Sequence, residues 1–205
     1  MEEDEGVSSS PPAVPDQVEP LAVVRLGHPI LRDVAEPVPE SWFASAPLHD
    51  FGLRLVRTML EAQGVGLAAP QVAEGLRMFS YWLPADDDQP GIEPIVLVNP
   101  EVKIVDSALD EGWEGCLSIP GLRGLVPRYR RIKVKARSVD GTTVSLTADG
   151  FQARVIQHEH DHLDGIVFLD RMASTRSLTF EEEWERYLSH LDDFSQGTSA
   201  DPRIR

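Results

Sequence analysis

The sequence predicts an α+β fold, with antiparallel sheets and hairpins packed around a central helix and one more helix near the C-terminus. Three observations predict it. Residues 131–137 and 143–147 alternate apolar and polar side chains, with Asp140-Gly141 between them, the pattern of a hairpin. Helical spacing recurs over 50–63, 150–163 and 180–191. The strand-like runs gather ahead of the middle helix and do not alternate with helices, so a parallel βαβ sheet is disfavoured.

Taken in order, residues 1–20 are rich in Pro, Ser and acids and read as a disordered tail. A single folded domain is expected over 21–194, followed by a flexible tail over 195–205. Residues 21–26 form a short apolar strand candidate, broken by Gly27-His28-Pro29. Residues 34–47 hold three prolines and read as an extended connection. The first helix is expected over 50–63, with Asp50 as its N-cap and Gly64 as its stop. Residues 76–83 read as a strand and 84–94 as a solvated loop. Residues 95–99 read as a buried strand ended by Pro100, with 102–105 continuing on another. The middle helix is expected over 150–163, with Asp149 and Gln152 at capping-box spacing and Gly165 as its stop. The last helix, over 180–191, carries Trp184, Tyr187, Leu188 and Leu191 on one stripe and begins with Thr179 and Glu182 at the same capping spacing.

Composition excludes several function classes. The 205 residues carry a formal net charge of −15, and residues 1–20 hold six of the 34 acids and no base. Sequence-independent nucleic-acid binding and adhesion to anionic lipid both need a basic surface. The start lacks the basic and apolar regions of a signal peptide, and no run is long and apolar enough to span a bilayer. A cytoplasmic location is expected. The lone cysteine, Cys116, excludes an intrachain disulfide.

The chemistry centres on Gln157-His158-Glu159-His160-Asp161-His162, which contains His-Glu-x-x-His. Residues four apart share a helix face, so His158 and His162 can grip one metal ion. Glu159 is turned by about 100° from His158, beside the ion, where it can take a proton from water. His160 falls on the far face and is expected to be solvated or satisfied there. Asp161 could orient a ligand histidine or pair at the surface. His28, His49 and His190 are read as structural.

A catalytic site of this kind needs a third protein ligand and an open position. Cys116 in Glu114-Gly115-Cys116-Leu117-Ser118 supplies the candidate, against the alternative of a small buried apolar side chain. Gln71 follows the small-residue run Gly64-Val65-Gly66-Leu67-Ala68-Ala69-Pro70. Its amide, with the N–H of the residue after Cys116, could serve a developing oxyanion. Two other readings stand beside this one. A zinc endopeptidase would take a downstream ligand, and His190 is the only downstream histidine. A structural zinc site would close its fourth position, for example with His160.

The three stretches Gly64 to Gln71, Glu114 to Ser118 and Gln157 to His162 resemble, in order, the three signature motifs of the peptide deformylase family. The likeness extends over about 21–170. It implies a metal-dependent hydrolase that removes the formyl group from the N-terminal formylmethionine of newly made proteins. It implies Cys116, His158 and His162 as metal ligands, Glu159 as general base and acid, and Gln71 with the Leu117 N–H as oxyanion donors. It further implies substrate contacts at Val65, Gly66 and Gly115, and a methionine pocket bordered by Arg123 and Val155. The implied cofactor is one divalent ion, Fe2+ by preference, with Zn2+, Ni2+ or Co2+ tolerated. The implied partners are N-formylmethionyl nascent peptides at the ribosome, with the enzyme a monomer that binds neither nucleic acid nor membrane.

Overall fold

A computed structural model describes residues 18–85 and 90–189. The tails expected over 1–20 and 195–205 therefore lie outside it, apart from 18–20, as do Asp86 to Asp88, His190 and Leu191.

The elements run α1 (Ala46–Glu61), β1 (Gly66–Ala68), β2 (Met78–Leu83), β3 (Ile92–Ile104), β4 (Leu109–Cys116), β5 (Ile119–Tyr129), β6 (Arg131–Arg137), β7 (Thr143–Asp149), α2 (Gly150–Leu163), α3 (Phe168–Arg171), β8 (Thr179–Phe180) and α4 (Glu181–Tyr187). They form an antiparallel sheet in the order β1-β2-β3-β6-β7 and a smaller antiparallel sheet in the order β4-β5-β8. The α+β expectation holds. Helix α2 lies against both sheets. Its Ala153, Val155, Ile156 and Leu163 pack with Phe79, Tyr81, Leu97, Ile132 and Val134 of the larger sheet. Under the smaller sheet, Ile119 and Val126 join Val167 and Phe168. Among the described residues no helix is long and apolar enough to cross a membrane.

The predicted hairpin is present: β6 and β7 pair from Arg131↔Asp149 to Arg137↔Thr143. In β6, Ile132, Val134 and Ala136 face inward while Arg131, Lys133 and Lys135 face solvent, as period two requires. Elsewhere local chemistry moves the boundaries. Helix α1 begins at Ala46, four residues before the expected start. Ser45, not Asp50, is its N-cap, with the Ser45 hydroxyl accepting from the Leu48 N–H, and Pro47 fits the first turn. The left-handed residue after α1 is Gln63, at φ +55°, and not Gly64. Gly64 is small for another reason: a Cβ there would lie 2.8 Å from Leu117 Cδ1.

Pro100 does not end its strand. Strand β3 runs on to Ile104, with a bulge at Asn99 (φ +50°), where the register with β6 shifts between Val98 and Glu101. The Asn99 amide fastens this bulge by accepting from the Val38 N–H and donating to the Val38 carbonyl. Residues 21–26 form no ladder. They run extended and are tied by single bonds from Leu21 N–H to Thr58 Oγ1, Val24 N–H to the Gln71 carbonyl and Leu26 N–H to the Ser118 carbonyl.

Neither expected capping box forms. Gln152 donates to the Tyr81 hydroxyl, and Asp149 pairs with Arg130. Thr179 belongs to β8, and α4 starts at Glu181. Gly165 does stop α2, at φ +70°, where a Cβ would meet the Arg32 carbonyl at 2.6 Å.

Candidate active site

Strand β4 ends at Cys116, and the two-residue turn Leu117-Ser118 leads into β5. Helix α2 presents His158, Glu159 and His162 towards that turn. Cys116 Sγ lies 3.3 Å from His162 Nε2, and one donor atom from each of Cys116, His158 and His162 falls within 4.8 Å of the others. Sulfur and nitrogen donors on a tetrahedral ion lie about 3.6 Å apart, so this trio fits one cation. The sequence places the three 42 and 4 residues apart; the fold brings them together.

The electrostatics agree with that fit. His158 Nδ1 is 2.9 Å from Glu114 Oε2, which leaves Nε2 for the cluster. Burial alone would lower His158, but the hydrogen bonds and charges of Cys116 and Glu114 outweigh it and hold it well above the usual imidazole range. These donors therefore favour a positive charge between them, which a proton or a metal ion can supply. Burial, aided by the charges of His158 and Arg128, pushes His162 well below that range, towards the neutral ring a metal binds. The His158 ring also stacks near Phe168, which fixes its plane.

Glu159 is 4% exposed, and its Oε2 has no partner among the described residues. Burial pushes its carboxyl up to about 7, with His158 and Arg128 opposing and Glu114 adding. Gly66 makes room for it: a Cβ there would lie 2.7 Å from Glu159 Cδ. Gln71 sits in a 3-10 turn (Ala69–Val72), fully buried. Its Oε1 accepts from the Ala68 N–H at 2.8 Å, which sets the amide so that Nε2 faces Cys116 Sγ and Ser118 Oγ, each at 3.4 Å.

A cleft of about 520 Å³ opens over these groups, within the usual range for a small-ligand site. Gln71, Cys116, Leu117, His158 and Glu159 line it. The expected substrate-contact residues Val65, Gly66, Gly115, Arg123 and Val155 also border it. His162 is buried and does not line the cleft, though its Nε2 is 3.3 Å from Cys116 Sγ.

Sequence reasoning missed a buried ion network behind the cluster. Glu114 accepts from Arg128 and Arg154 as well as facing His158. Arg128 reaches on to Asp161, which Arg171 also holds. Asp161 is thus neither a partner of a ligand histidine nor a surface ion. Burial would raise Glu114, yet Arg128 and His158 hold it well below the carboxylate range. One signal was available: Glu114 is two residues from Cys116, hence on the same side of a strand. His160 is satisfied on the far face, 3.1 Å from Arg77 NH2 and 3.5 Å from Asp164. It does not close a fourth metal position, so the structural-zinc alternative loses its ligand.

The polypeptide deformylase family profile matches residues 20–177. The chain belongs to this family. Deformylases are metal-dependent hydrolases that remove N-formyl groups, and the endopeptidase alternative falls away. Peptide deformylase 2 of Nostoc sp. is 38% identical over 179 residues, covering 83% of this chain and 96% of the relative. Peptide deformylase 1 of Prochlorococcus marinus is 42% identical over 168 residues, covering 80% and 86%. A class I type b peptide deformylase from Acinetobacter baumannii, solved with Met-Ala-Ser bound, superposes with a TM-score of 0.72 at 39% identity, covering 76% of this chain and 99% of that one.

Proposed function

We propose that this deformylase acts on N-formylmethionyl nascent chains through the residues assembled above. Cys116, His158 and His162 hold one divalent ion, Fe2+ by preference, with Zn2+, Ni2+ or Co2+ as substitutes. The thiolate suits all of these. The chemistry such an ion supplies when bound is acidification of water and polarisation of a carbonyl.

The chain's own groups do the rest. Glu159 Oε2 takes a proton from the attacking water and passes it to the amine nitrogen as the C–N bond breaks, so that formate and a free N-terminus leave. Gln71 Nε2 and the Leu117 N–H donate to the formyl oxygen as negative charge develops on it. The backbone at Val65, Gly66 and Gly115 holds the peptide extended, and Val155 and Arg123 border the methionine side chain. A formyl carbon carries only hydrogen, so a narrow floor admits it and resists bulkier acyl groups. The Met-Ala-Ser found on the Acinetobacter relative supports a peptide of this kind. The nascent chain is met at the ribosome, in the cytoplasm, by a monomer. One chain suffices, since it furnishes every residue named here.

The observation that carries the reading is the buried Glu159 carboxyl group, with one oxygen unpaired among the described residues, beside three converging donors that could hold a metal ion. The test is formate release from formyl-Met-Ala-Ser by metal-loaded protein, with and without Glu159→Ala. The variant is expected to keep its metal and lose about 10²–10⁴ in kcat. A near-normal rate would remove Glu159 from its role. Aerobic decay of activity, reversed by Fe2+ under reducing conditions, checks the ion; oxygen-insensitive activity points to zinc or nickel.

A further inference from the structure

The family match ends at residue 177, yet the chain continues back to the cleft. Strand β8 pairs with β5 through Leu122↔Phe180 and Arg123↔Thr179, and α4 follows directly. This return sets Glu181 on the cleft wall. Glu181 Oε1 accepts from Arg123 Nε at 3.0 Å and Arg123 NH2 at 2.5 Å. Three residues on, the Trp184 ring lies 4.4 Å from the Arg123 guanidinium carbon. Trp184 in turn meets Trp113, another cleft residue, edge to face at 6.3 Å. Arg123 is paired across the β4–β5 ladder with Gly115, one residue from Cys116. A long, flexible side chain beside the substrate groove is thus clamped on two sides by a segment outside the family match.

We propose that Glu181 is a positioning residue that holds Arg123 against the cleft wall and cancels its charge, so that the C-terminal return sets how the enzyme receives the peptide beyond the formylmethionine. This rests on the reading of the cleft as the deformylase substrate site. Held by Glu181 and Trp184, the guanidinium is a fixed, neutralised wall. Freed from Glu181, it becomes an unpaired cation at the groove, with its rotamer entropy restored. The pair is part-exposed, with 42% of the Glu181 side chain accessible. The effect on binding is accordingly modest, because solvent screens such pairs.

The experiment uses the full-length, metal-loaded enzyme and Glu181→Ala, Glu181→Gln and Glu181→Asp. Formate release is measured with formyl-Met-Ala-Ser, formyl-Met-Ala-Asp and formyl-Met-Ala-Lys, alongside thermal melts. Glu181→Ala and Glu181→Gln are expected to raise KM for formyl-Met-Ala-Ser about fivefold with kcat within about twofold. They should also raise the ratio of kcat/KM for the Asp peptide over the Lys peptide by about tenfold, as the freed guanidinium takes an acid. Glu181→Asp, which keeps the charge, should restore most of both. The proposal is overturned if folded Glu181→Ala keeps wild-type KM and wild-type Asp-to-Lys ratio. It is equally overturned if activity falls alike on all three peptides in step with a lowered melting temperature. An unaltered chain that releases no formate from any peptide sinks the functional reading first, and this inference with it.

Discussion

Glu114→Gln separates two jobs done by one buried carboxylate. Glu114 Oε1 receives Arg128 Nε at 2.9 Å and Arg154 NH1 at 3.0 Å; Oε2 receives Arg128 NH2 at 2.9 Å and faces His158 Nδ1 at 2.9 Å. An amide has one oxygen, so whichever way it lies, its NH2 group confronts two former donors. If it donates to His158 Nδ1, the ring proton must move to Nε2, the nitrogen proposed to bind the metal. If it faces the arginines, Arg128 loses one of its three carboxylate bonds and Arg154 loses its bond to Glu114. Breaking a buried ion pair costs about 3–5 kcal/mol, or about 10 °C for a chain of this size. Misorienting a ligand histidine costs about 10- to 100-fold in metal affinity, which adds about 1.4–2.7 kcal/mol to the loss in the loaded protein. Urea unfolding of apo and nickel-loaded protein, with a chelator titration, reads the two losses apart. An unchanged metal affinity beside a large apo loss would show that Glu114 serves the ion network and not the histidine. An apo loss below about 1 kcal/mol would refute the network itself.

Three further outcomes follow from the geometry. Gly66→Ala puts a methyl 2.7 Å from Glu159 Cδ and should lower kcat at least about 100-fold; metal content by atomic absorption should not change, and retained activity would mean the carboxylate can work elsewhere. Gly165→Ala meets the Arg32 backbone at 2.6 Å and a φ of +70°, whereas Gly124→Ala meets the end of the flexible Met172 thioether, at 2.6 Å to Sδ, with the Phe168 ring next at 3.3 Å. Unfolding should cost the first more than about 2 kcal/mol and the second less than about 1.5, and a reversed order would refute the comparison. Burial would raise Asp170, but its bonds from Arg32 and the Val167 N–H hold it below the usual aspartate range. Its contribution is therefore present above pH of about 4 and lost as pH falls through the depressed folded value. The pair is exposed, so Asp170→Asn should cost under about 1 kcal/mol at pH 7 and flatten the acid limb of the stability curve.

Legibility of the fold tracked the range of the interaction. The β6–β7 hairpin and α2 were readable because period two, period 3.6 and an Asp-Gly turn are local signals. Helix α1 starts inside the expected extended connection because Pro47 suits the first helical turn, where its fixed φ is an asset and its missing N–H costs nothing. Pro100 sits within β3 for a similar reason, since a bulge held by Asn99 removes the need for an N–H at that point. Strands β4 and β5 carry no clear local period. Gly112, Gly115, Gly121 and Gly124 interrupt their alternation, and some of those glycines answer to distant groups: Gly112 to Arg154, Gly124 to Met172. No window of sequence contains both partners.

The site divides along the same line. His158 and His162 declare themselves because one helical turn separates them, and Cys116 because it is the only thiol beside them. What makes those donors usable is not local. Glu114 fixes the His158 ring from a strand of the smaller sheet, and Arg128 and Arg154 donate to that carboxylate from 14 and 40 residues away. Ala68 orients the Gln71 amide, and Gly66 stays bare so that Glu159 can enter. In each case the identity of the working residue is written in a short motif, while its orientation is set by a residue whose type is unremarkable until the chain has folded. A substitution scan should therefore separate the two sets by readout: ligand and proton-carrier changes abolish turnover or metal at constant stability, while changes at Arg128 or Arg154 lower stability first and metal affinity with it. A scan in which Arg128→Met left stability untouched yet emptied the metal site would break that division.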